Sequence, residues 1–327
     1  MIKLDLEIKV LLMTFVISVI CGLITIPILK KLKVGQIERT DGPQSHLKKQ
    51  GTPTMGGIII MLGIIIATCC AYVYYKGKDA SLAQNLIPIL CLTTGFGIIG
   101  FIDDYIKVVM KRSMGLRAWQ KMLGQIVVTG VFAYYVEKYS TINNELIIPF
   151  VGKTIQLNSV LYVVLLFFIV LGTVNGANFT DGLDGLASSV TVLIATFFAV
   201  VAVGTGSGVA PVSCAAVGSL LGFLVYNVYP AKVFMGDTGS LALGGFVAST
   251  AYMLKMPIFI VIIAFIYFLE VLSVIIQVVS FKLTGKRVFR MAPIHHHFEL
   301  GGWPESKVVA IFSIVTAVLC VVGLLAL

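Results

Sequence analysis

The sequence predicts an all-α polytopic membrane protein, and three observations predict it. Of its 327 residues, 58% are hydrophobic and 12% are charged, whereas a soluble domain carries about 25% charged residues. Ten apolar runs are each long enough to cross ~30 Å of hydrocarbon at ~1.5 Å per residue. Seventeen of the 24 Lys and Arg fall in alternate connections, the asymmetry that orients spans with their basic loops in the cytoplasm. The chain 1–327 is read as a single integral membrane domain.

The runs cover 10–29, 55–75, 86–106, 119–137, 159–175, 184–204, 211–228, 239–255, 257–282 and 307–327. The first, Val10 to Leu29, has charged flanks and no small-residue cleavage site, so it reads as a retained span. Gly95, Gly97 and Gly100, and Gly218 with Gly222, suit close helix packing. In the ninth run Glu270 lies midway between Pro257 and Lys282, which costs several kcal/mol unless it faces the bundle interior or the helix is broken. At 26 residues this run also exceeds what a bilayer requires, which predicts a tilt or kink. Between the fourth and fifth runs, Leu146-Ile-Ile-Pro-Phe, Val151-Gly-Lys and Thr154-Ile-Gln-Leu read as a small β-hairpin outside the membrane. The six cysteines lie in apolar runs without metal-ligand spacing.

The basic set comprises Lys30, Lys31, Lys33, Arg39, Lys48 and Lys49; Lys107, Lys111, Arg112, Arg117 and Lys121; Lys232; and Lys282, Lys286, Arg287, Arg290 and Lys307. Taken as cytoplasmic, it places both termini outside. The net charge of +9 then reflects orientation in a lipid bilayer and calls for no nucleic acid. By the same alternation Asp103, Asp104, Asp181, Asp184, Asp237 and the run His295-His296-His297 all reach the cytoplasmic face. Such a gathering predicts one site open to water. A transporter would place ionisable groups near mid-membrane and often show repeated halves; here only Glu270 does so and no internal repeat is visible.

The chain is organised around Asn175-Gly-Ala-Asn-Phe-Thr-Asp-Gly-Leu-Asp-Gly185, two amides and two carboxylates between apolar runs. Asp181 as a helix cap explains one carboxylate and leaves Asp184, Asn175 and Asn178 without a role. Alternate-residue calcium ligand spacing is missing, which leaves a cation or phosphate site. Asp103-Asp104 end a span where the helix dipole disfavours anions, so a cation or Lys107 must compensate. Asp237, in Phe234-Met-Gly-Asp-Thr-Gly-Ser240, begins a span; it could simply cap it, and Gly236, Gly239 and Ser240 permit close approach of a phosphate. Lys49-Gln-Gly-Thr-Pro-Thr-Met-Gly-Gly57 puts Pro53 in a first helical turn, with Lys49 and Thr54 suited to an anion. Acid-rich loops fit Mg²⁺, which takes oxygen ligands and substrate phosphates. His295, His296 and His297 are then assigned to phosphate or transition-state contact, with a transition-metal site as the alternative. The reading is Mg²⁺-dependent phosphoryl transfer between a lipid and a soluble substrate.

These motifs, with Pro293-Ile-His-His-His-Phe-Glu-Leu300, resemble the polyprenyl-phosphate N-acetylhexosamine-1-phosphate transferases. The resemblance covers essentially the whole chain. It implies ten transmembrane helices, a homodimer in the bacterial cell membrane, and a cytoplasmic active-site cleft. In that cleft undecaprenyl phosphate attacks the β-phosphate of a UDP-N-acetylhexosamine donor and UMP leaves. It further implies Asp237 as the Mg²⁺ ligand, Asp103 as the base for the lipid phosphate, and Asp104 as its support. Asn178 and Asp181 would lie along ribose and phosphates, with Lys49, Gly182, Leu183, Asp184 and Phe234 around the uracil. Thr54, Asn227, Gly236 and Gln277 would complete the pocket, and a bent ninth helix would border the lipid groove. The uninterrupted His295-His296-His297 followed by Phe298-Glu-Leu-Gly-Gly-Trp303 resembles the muramoyl-pentapeptide branch, implying UDP-N-acetylmuramoyl-pentapeptide as donor. The alternative donor is UDP-N-acetylglucosamine.

Overall fold

The computed structural model describes residues 5–32, 49, 51–110, 112, 114–139, 142 and 144–327. Lys33, Arg39, Lys48, Gln50 and Lys111 of the sequence argument lie outside the described residues. The chain builds α1 (Asp5–Lys31), α2 (Gly57–Lys76), α3 (Ala80–Gln84), α4 (Leu86–Val108) and α5 (Ala118–Tyr139). Two short strands, β1 (Glu145–Ile147) and β2 (Thr154–Gln156), separate these from α6 (Ser159–Thr180), α7 (Leu186–Gly204), α8 (Ala210–Asn227) and α9 (Gly236–Met253). A 3₁₀ turn (Pro257–Phe259) leads into α10 (Ile260–Ile263), α11 (Phe265–Thr284), α12 (Ile294–Glu299) and α13 (Glu305–Leu325). The protein is an all-α polytopic membrane protein.

Among the described residues, eight helices are long and apolar enough to cross a membrane. The two remaining predicted spans exist as α5, of 22 residues, and α9, of 18, and both are more polar. For α9 the reason is its surroundings: every residue from Thr238 to Met253 is buried, enclosed by α4, α6, α2 and α7. A helix that meets only protein needs no apolar exterior. It needs small residues, and the contacts show why. A Cβ on Gly100 would fall 2.0 Å from the Asp237 carbonyl oxygen, and one on Gly57 would fall 2.1 Å from the Gly239 nitrogen. Gly218 and Gly222 likewise let α8 approach the backbone of α1, as close helix packing requires.

The structure corrects two boundaries and bears out the expected break in a third. The helix predicted to end at 175 continues to Thr180, because Asn175 turns inward: its Nδ2 donates to the Leu171 carbonyl and to Gln125 Oε1 on α5. Pro53 sits outside the first turn of α2, which starts at Gly57. Its segment instead runs against the approach to α9, with Phe234 N–H donating to the Pro53 carbonyl and Gly56 and Gly57 donating back to Phe234 and Met235. The 26-residue ninth run is broken at Ala264 (φ −109°, ψ 34°), and Glu270 on the following helix is fully buried, so both resolutions offered for that carboxylate hold.

The antiparallel hairpin pairs Leu146 with Ile155. It is tied to the far ends of the helices: Ile147 N–H donates to the Lys255 carbonyl, Phe150 N–H to that of Ala326, and Lys255 pairs with Glu145 at 2.5 Å. Since α9 and α13 run from the acidic cluster to these contacts, the hairpin marks the opposite end of the bundle. All six cysteines are free.

Candidate active site

The acidic residues do converge, and each reaches the cluster for a local reason. Asp103 and Asp104 are adjacent on α4, so their side chains leave the helix about 100° apart. Asp103 pairs with Lys107 one turn on (2.6 Å) and accepts from the Leu116 N–H (2.6 Å). Asp104 turns toward α9 and accepts from Asp237 N–H (3.1 Å), Thr238 N–H (2.9 Å) and the Thr238 hydroxyl (2.6 Å). The first turn of a helix has unsatisfied N–H groups and a positive dipole end, and here a carboxylate from another helix satisfies them. The compensation demanded by two anions at the end of α4 is thus divided between Lys107 and the start of α9.

Relieved of capping, Asp237 points into the cluster. Its Oδ2 receives Lys107 (2.8 Å) and Lys121 of α5 (3.0 Å), and its Oδ1 accepts from Asn178 Nδ2 (2.7 Å). Asn178 also donates to Ser240 Oγ (2.9 Å) and accepts from Lys121 (3.2 Å). Four helices therefore meet at one carboxylate. Gly236 adopts φ +73°, and a Cβ there would fall 2.7 Å from Asp104 Oδ2 and 2.9 Å from Thr54 Oγ1; only glycine serves on both counts. Asp181 ends α6 through its backbone N–H, which donates to the Asn178 carbonyl, but its side chain does not cap the next helix, since α7 starts after Gly185 without a side-chain cap. Removal from water, followed by the charges of Asp237 and Asp104, pushes the Asp181 carboxyl well above the usual range.

A second group lies beside the first. Lys49 pairs with Asp184 (2.7 Å) and Glu305 (2.5 Å) and sits 6.0 Å from the Phe234 ring centroid. Burial alone would lower the Lys49 ammonium, but hydrogen bonds to the two carboxylates outweigh it and the pKa rises. Asp184 also accepts from the Ala231 N–H (2.9 Å), and its own N–H donates to Glu305 Oε1 (2.6 Å). Lys49, Asp184 and Phe234 come together as expected, with Leu183 buried beside them and Gly182 next in the loop.

Other candidates are occupied differently. Asn227 receives Ser188 Oγ and donates to the Val233 carbonyl (2.9 and 3.0 Å), clamping the loop that carries Phe234. Gln277 uses both ends of its amide on the backbone of Val288 and Phe289. The three histidines, consecutive on the six-residue α12, take different partners: His295 meets Glu270 (3.0 Å), His296 meets Glu299 (2.7 Å), and His297 Nδ1 accepts from the Arg290 N–H (3.1 Å), while the His295 and His296 rings stay in contact, 4.1 Å between centroids. Sequence reasoning missed Lys121 and Glu305 as site residues. Both stand in the first turn of a helix beginning at the acidic end, a signal shared with many solvated charges.

No cluster of three or more His, Cys, Asp or Glu side chains arranged for a metal occurs among the described residues. The donor set nevertheless suits a hard cation. Mg²⁺ is held by one or two carboxylates together with substrate phosphates, and Asp237, with Asp103 joined to it through Lys107, offers such oxygens.

Comparison with known proteins identifies the family. The model of glycosyl transferase family 4 matches residues 86–255, and phospho-N-acetylmuramoyl-pentapeptide-transferase signature 1 matches residues 49–61. A phospho-N-acetylmuramoyl-pentapeptide-transferase of Clostridium botulinum (strain Eklund 17B / Type B) is 52% identical over 97% of this chain and 95% of its own length. That of Clostridium novyi (strain NT) is 50% identical over the same shares, and that of Acetivibrio thermocellus is 48% identical over 97% and 94%. At about half identity over nearly its whole length, with the signature spanning the Lys49 loop, this chain belongs to the phospho-N-acetylmuramoyl-pentapeptide-transferase family.

Proposed function

We propose that the acidic end of the bundle transfers phospho-N-acetylmuramoyl-pentapeptide from its UDP donor to undecaprenyl phosphate, giving the lipid-linked product (lipid I) and UMP. The observation that carries this reading is Asp237, presented at the start of α9 by Asp104 and met by Lys107, Lys121 and Asn178. A lipid phosphate oxygen attacks the β-phosphorus, and the bond from that phosphorus to the bridging oxygen breaks. The electron pair leaves with UMP.

Asp237, with the donor phosphates, would hold Mg²⁺. Bound there, the ion supplies neutralisation of the pyrophosphate charge. The chain's own groups do the remainder. Lys107 and Lys121 stand where negative charge accumulates on the transferring phosphoryl group, and Asp103 takes the remaining proton of the lipid phosphate. Asp104 holds the backbone of Asp237 and Thr238 and is a positioning residue. Lys49, Gly182, Leu183, Asp184 and Phe234 receive the uracil; Asn178 and Asp181 receive ribose and phosphates. Thr54 and Gly236 border the phosphates, and Asn227 and Gln277 hold the loops around them. His296 is the least buried of the two histidines that pair with carboxylates and meets the sugar phosphate.

The reading places the cleft on the cytoplasmic side of the bacterial cell membrane. The basic asymmetry supports this, as does the hairpin at the opposite end. It takes the chain as one integral unit working as a homodimer, as the resemblance implies. Two measurements test it. UMP release from UDP-N-acetylmuramoyl-pentapeptide and from UDP-N-acetylglucosamine is compared with undecaprenyl phosphate, with Mg²⁺ and after chelation. Release from the pentapeptide donor alone, and only with Mg²⁺, is expected; equal rates with both donors, or undiminished rates in chelator, overturn the substrate or the metal assignment respectively. Cysteines placed in the loops of Asp103, Asp181, Asp237 and His296 should resist an impermeant thiol reagent added outside intact cells, and labelling of any one ends the single-face reading.

A further inference from the structure

Glu270 is the one carboxylate sequence reasoning placed near mid-bilayer, and the mechanism above gives it no task. It is fully buried on α11, and His295, the side chain it meets, is 1% exposed. An isolated ion at such depth costs several kcal/mol, so the pair persists because the partners meet. Glu270 Oε1 lies 3.0 Å from His295 Nδ1. With the carboxylate ionised, Nδ1 carries the proton, and fixing one ring nitrogen fixes the direction of the other.

That other nitrogen is directed at the nucleotide loop. A Cβ built on Gly182 would fall 2.2 Å from His295 Nε2 and 2.6 Å from its Cε1. The imidazole edge therefore occupies the space that a side chain at 182 would need, forming a floor under the loop from Asp181 to Gly185. Nε2 and Glu270 Oε2 are buried and make no hydrogen bond, so the ring edge packs against backbone and the pair's one hydrogen bond sets its position. The two flanking carboxylates serve different groups: Asp181 bonds the Gly236 backbone within electrostatic range of Asp237 and Asp104, and Asp184 pairs with Lys49. A loop pivoting on Gly182 would misplace both.

We propose that Glu270 is a positioning residue acting through His295: it pins the ring that supports the Asp181–Gly185 loop and so sets affinity for the nucleotide donor. The inference rests on the proposed function in taking that loop as the nucleotide site. It predicts an asymmetry that general loss of stability does not produce. Only one of two substrates should be affected.

The test uses the full chain purified in detergent, with Glu270→Leu, Glu270→Gln and Gly182→Ala. Glu270→Leu removes the acceptor; it should raise the donor KM about tenfold, the scale of one lost hydrogen bond to a charged group, and leave the undecaprenyl phosphate KM within about threefold. Glu270→Gln keeps an acceptor for Nδ1–H and should restore the donor KM to within about threefold of wild type. In a His295→Asn background, Glu270→Leu should add nothing, because the groups act as a unit. Equal rises in both KM values, identical behaviour of the Leu and Gln variants, or additive losses overturn the proposal. Should Glu270→Leu fail to fold, Gly182→Ala tests the same contact without touching a buried charge, and an unchanged donor KM there is equally fatal. Calorimetry with UDP alone distinguishes the two levels. Wild-type chain that binds UDP yet releases no UMP contradicts the proposed function, whereas equal UDP affinity in wild type and Glu270→Leu contradicts this inference only.

Discussion

Replacing Asp104 by Ala removes the acceptor for three donors at the start of α9: two backbone N–H groups and the Thr238 hydroxyl. The hydroxyl can rotate to another acceptor; the amides cannot. Each orphaned amide costs about 1–3 kcal/mol, and the lost interaction with the helix dipole adds up to about 1 kcal/mol. Asp104 is 3% exposed and lies among Asp103, Asp181 and Asp237, so removing its charge returns part of this by relieving desolvation and repulsion. The net destabilisation is about 2–4 kcal/mol. At roughly 2 °C per kcal/mol for a chain of this size, thermal unfolding in detergent, followed by intrinsic fluorescence, should shift down by about 4–8 °C. Asp104→Asn keeps one acceptor oxygen and should fall between. Turnover should drop in the same order, since the amide of Asp237 is among those released. An Asp104→Ala protein that melts with wild type but has lost turnover would show that Asp104 acts on substrate and that the anchoring argument is wrong.

Asp237→Ala should lower kcat by about 10³-fold, equivalent to ~4 kcal/mol, because pyrophosphate charge is left unneutralised while Asp104 still anchors the helix; UMP release under saturating Mg²⁺ measures it. Glu305→Ala takes from Lys49 one of two carboxylates and from the Asp184 N–H its acceptor, so the donor KM should rise about tenfold with the lipid KM unchanged; loss of kcat alone contradicts this. The raised Asp181 carboxyl makes the folded state bind a proton more tightly than the unfolded chain. Its contribution to stability is therefore lost as pH rises from the ordinary carboxylate range through the higher folded value. Asp181→Asn should gain thermal stability over wild type as pH is raised through that window, and a difference independent of pH would disprove the assignment.

The span pattern was legible because it depends on local quantities. Run length, apolar content and alternation of Lys and Arg are sums over neighbouring residues, and they located the helices, the hairpin and the end of the bundle that gathers the aspartates. The two less apolar spans, α5 and α9, show the limit: α9 is enclosed by other helices and selected for small and polar contacts, while α5 leaves one face exposed, and composition alone does not separate the two cases.

The sequence by itself determined that Asp103, Asp104, Asp181, Asp184 and Asp237 stand at helix ends on one side and that Glu270 needs a partner or a break. Only the tertiary structure decided what each does. Asp103 and Asp104 are chemically identical neighbours, and their division into a lysine-paired carboxylate and a helix anchor follows from the 100° between successive side chains and from which helix lies in each direction. Three consecutive histidines take three different hydrogen-bond partners for the same reason. The pairing of Glu270 with His295, and of Lys49 with Glu305, joins residues far apart along the chain. Those contacts depend on the relative placement of α11, α12 and α13, which is set by packing across the whole bundle and leaves no mark in the local sequence.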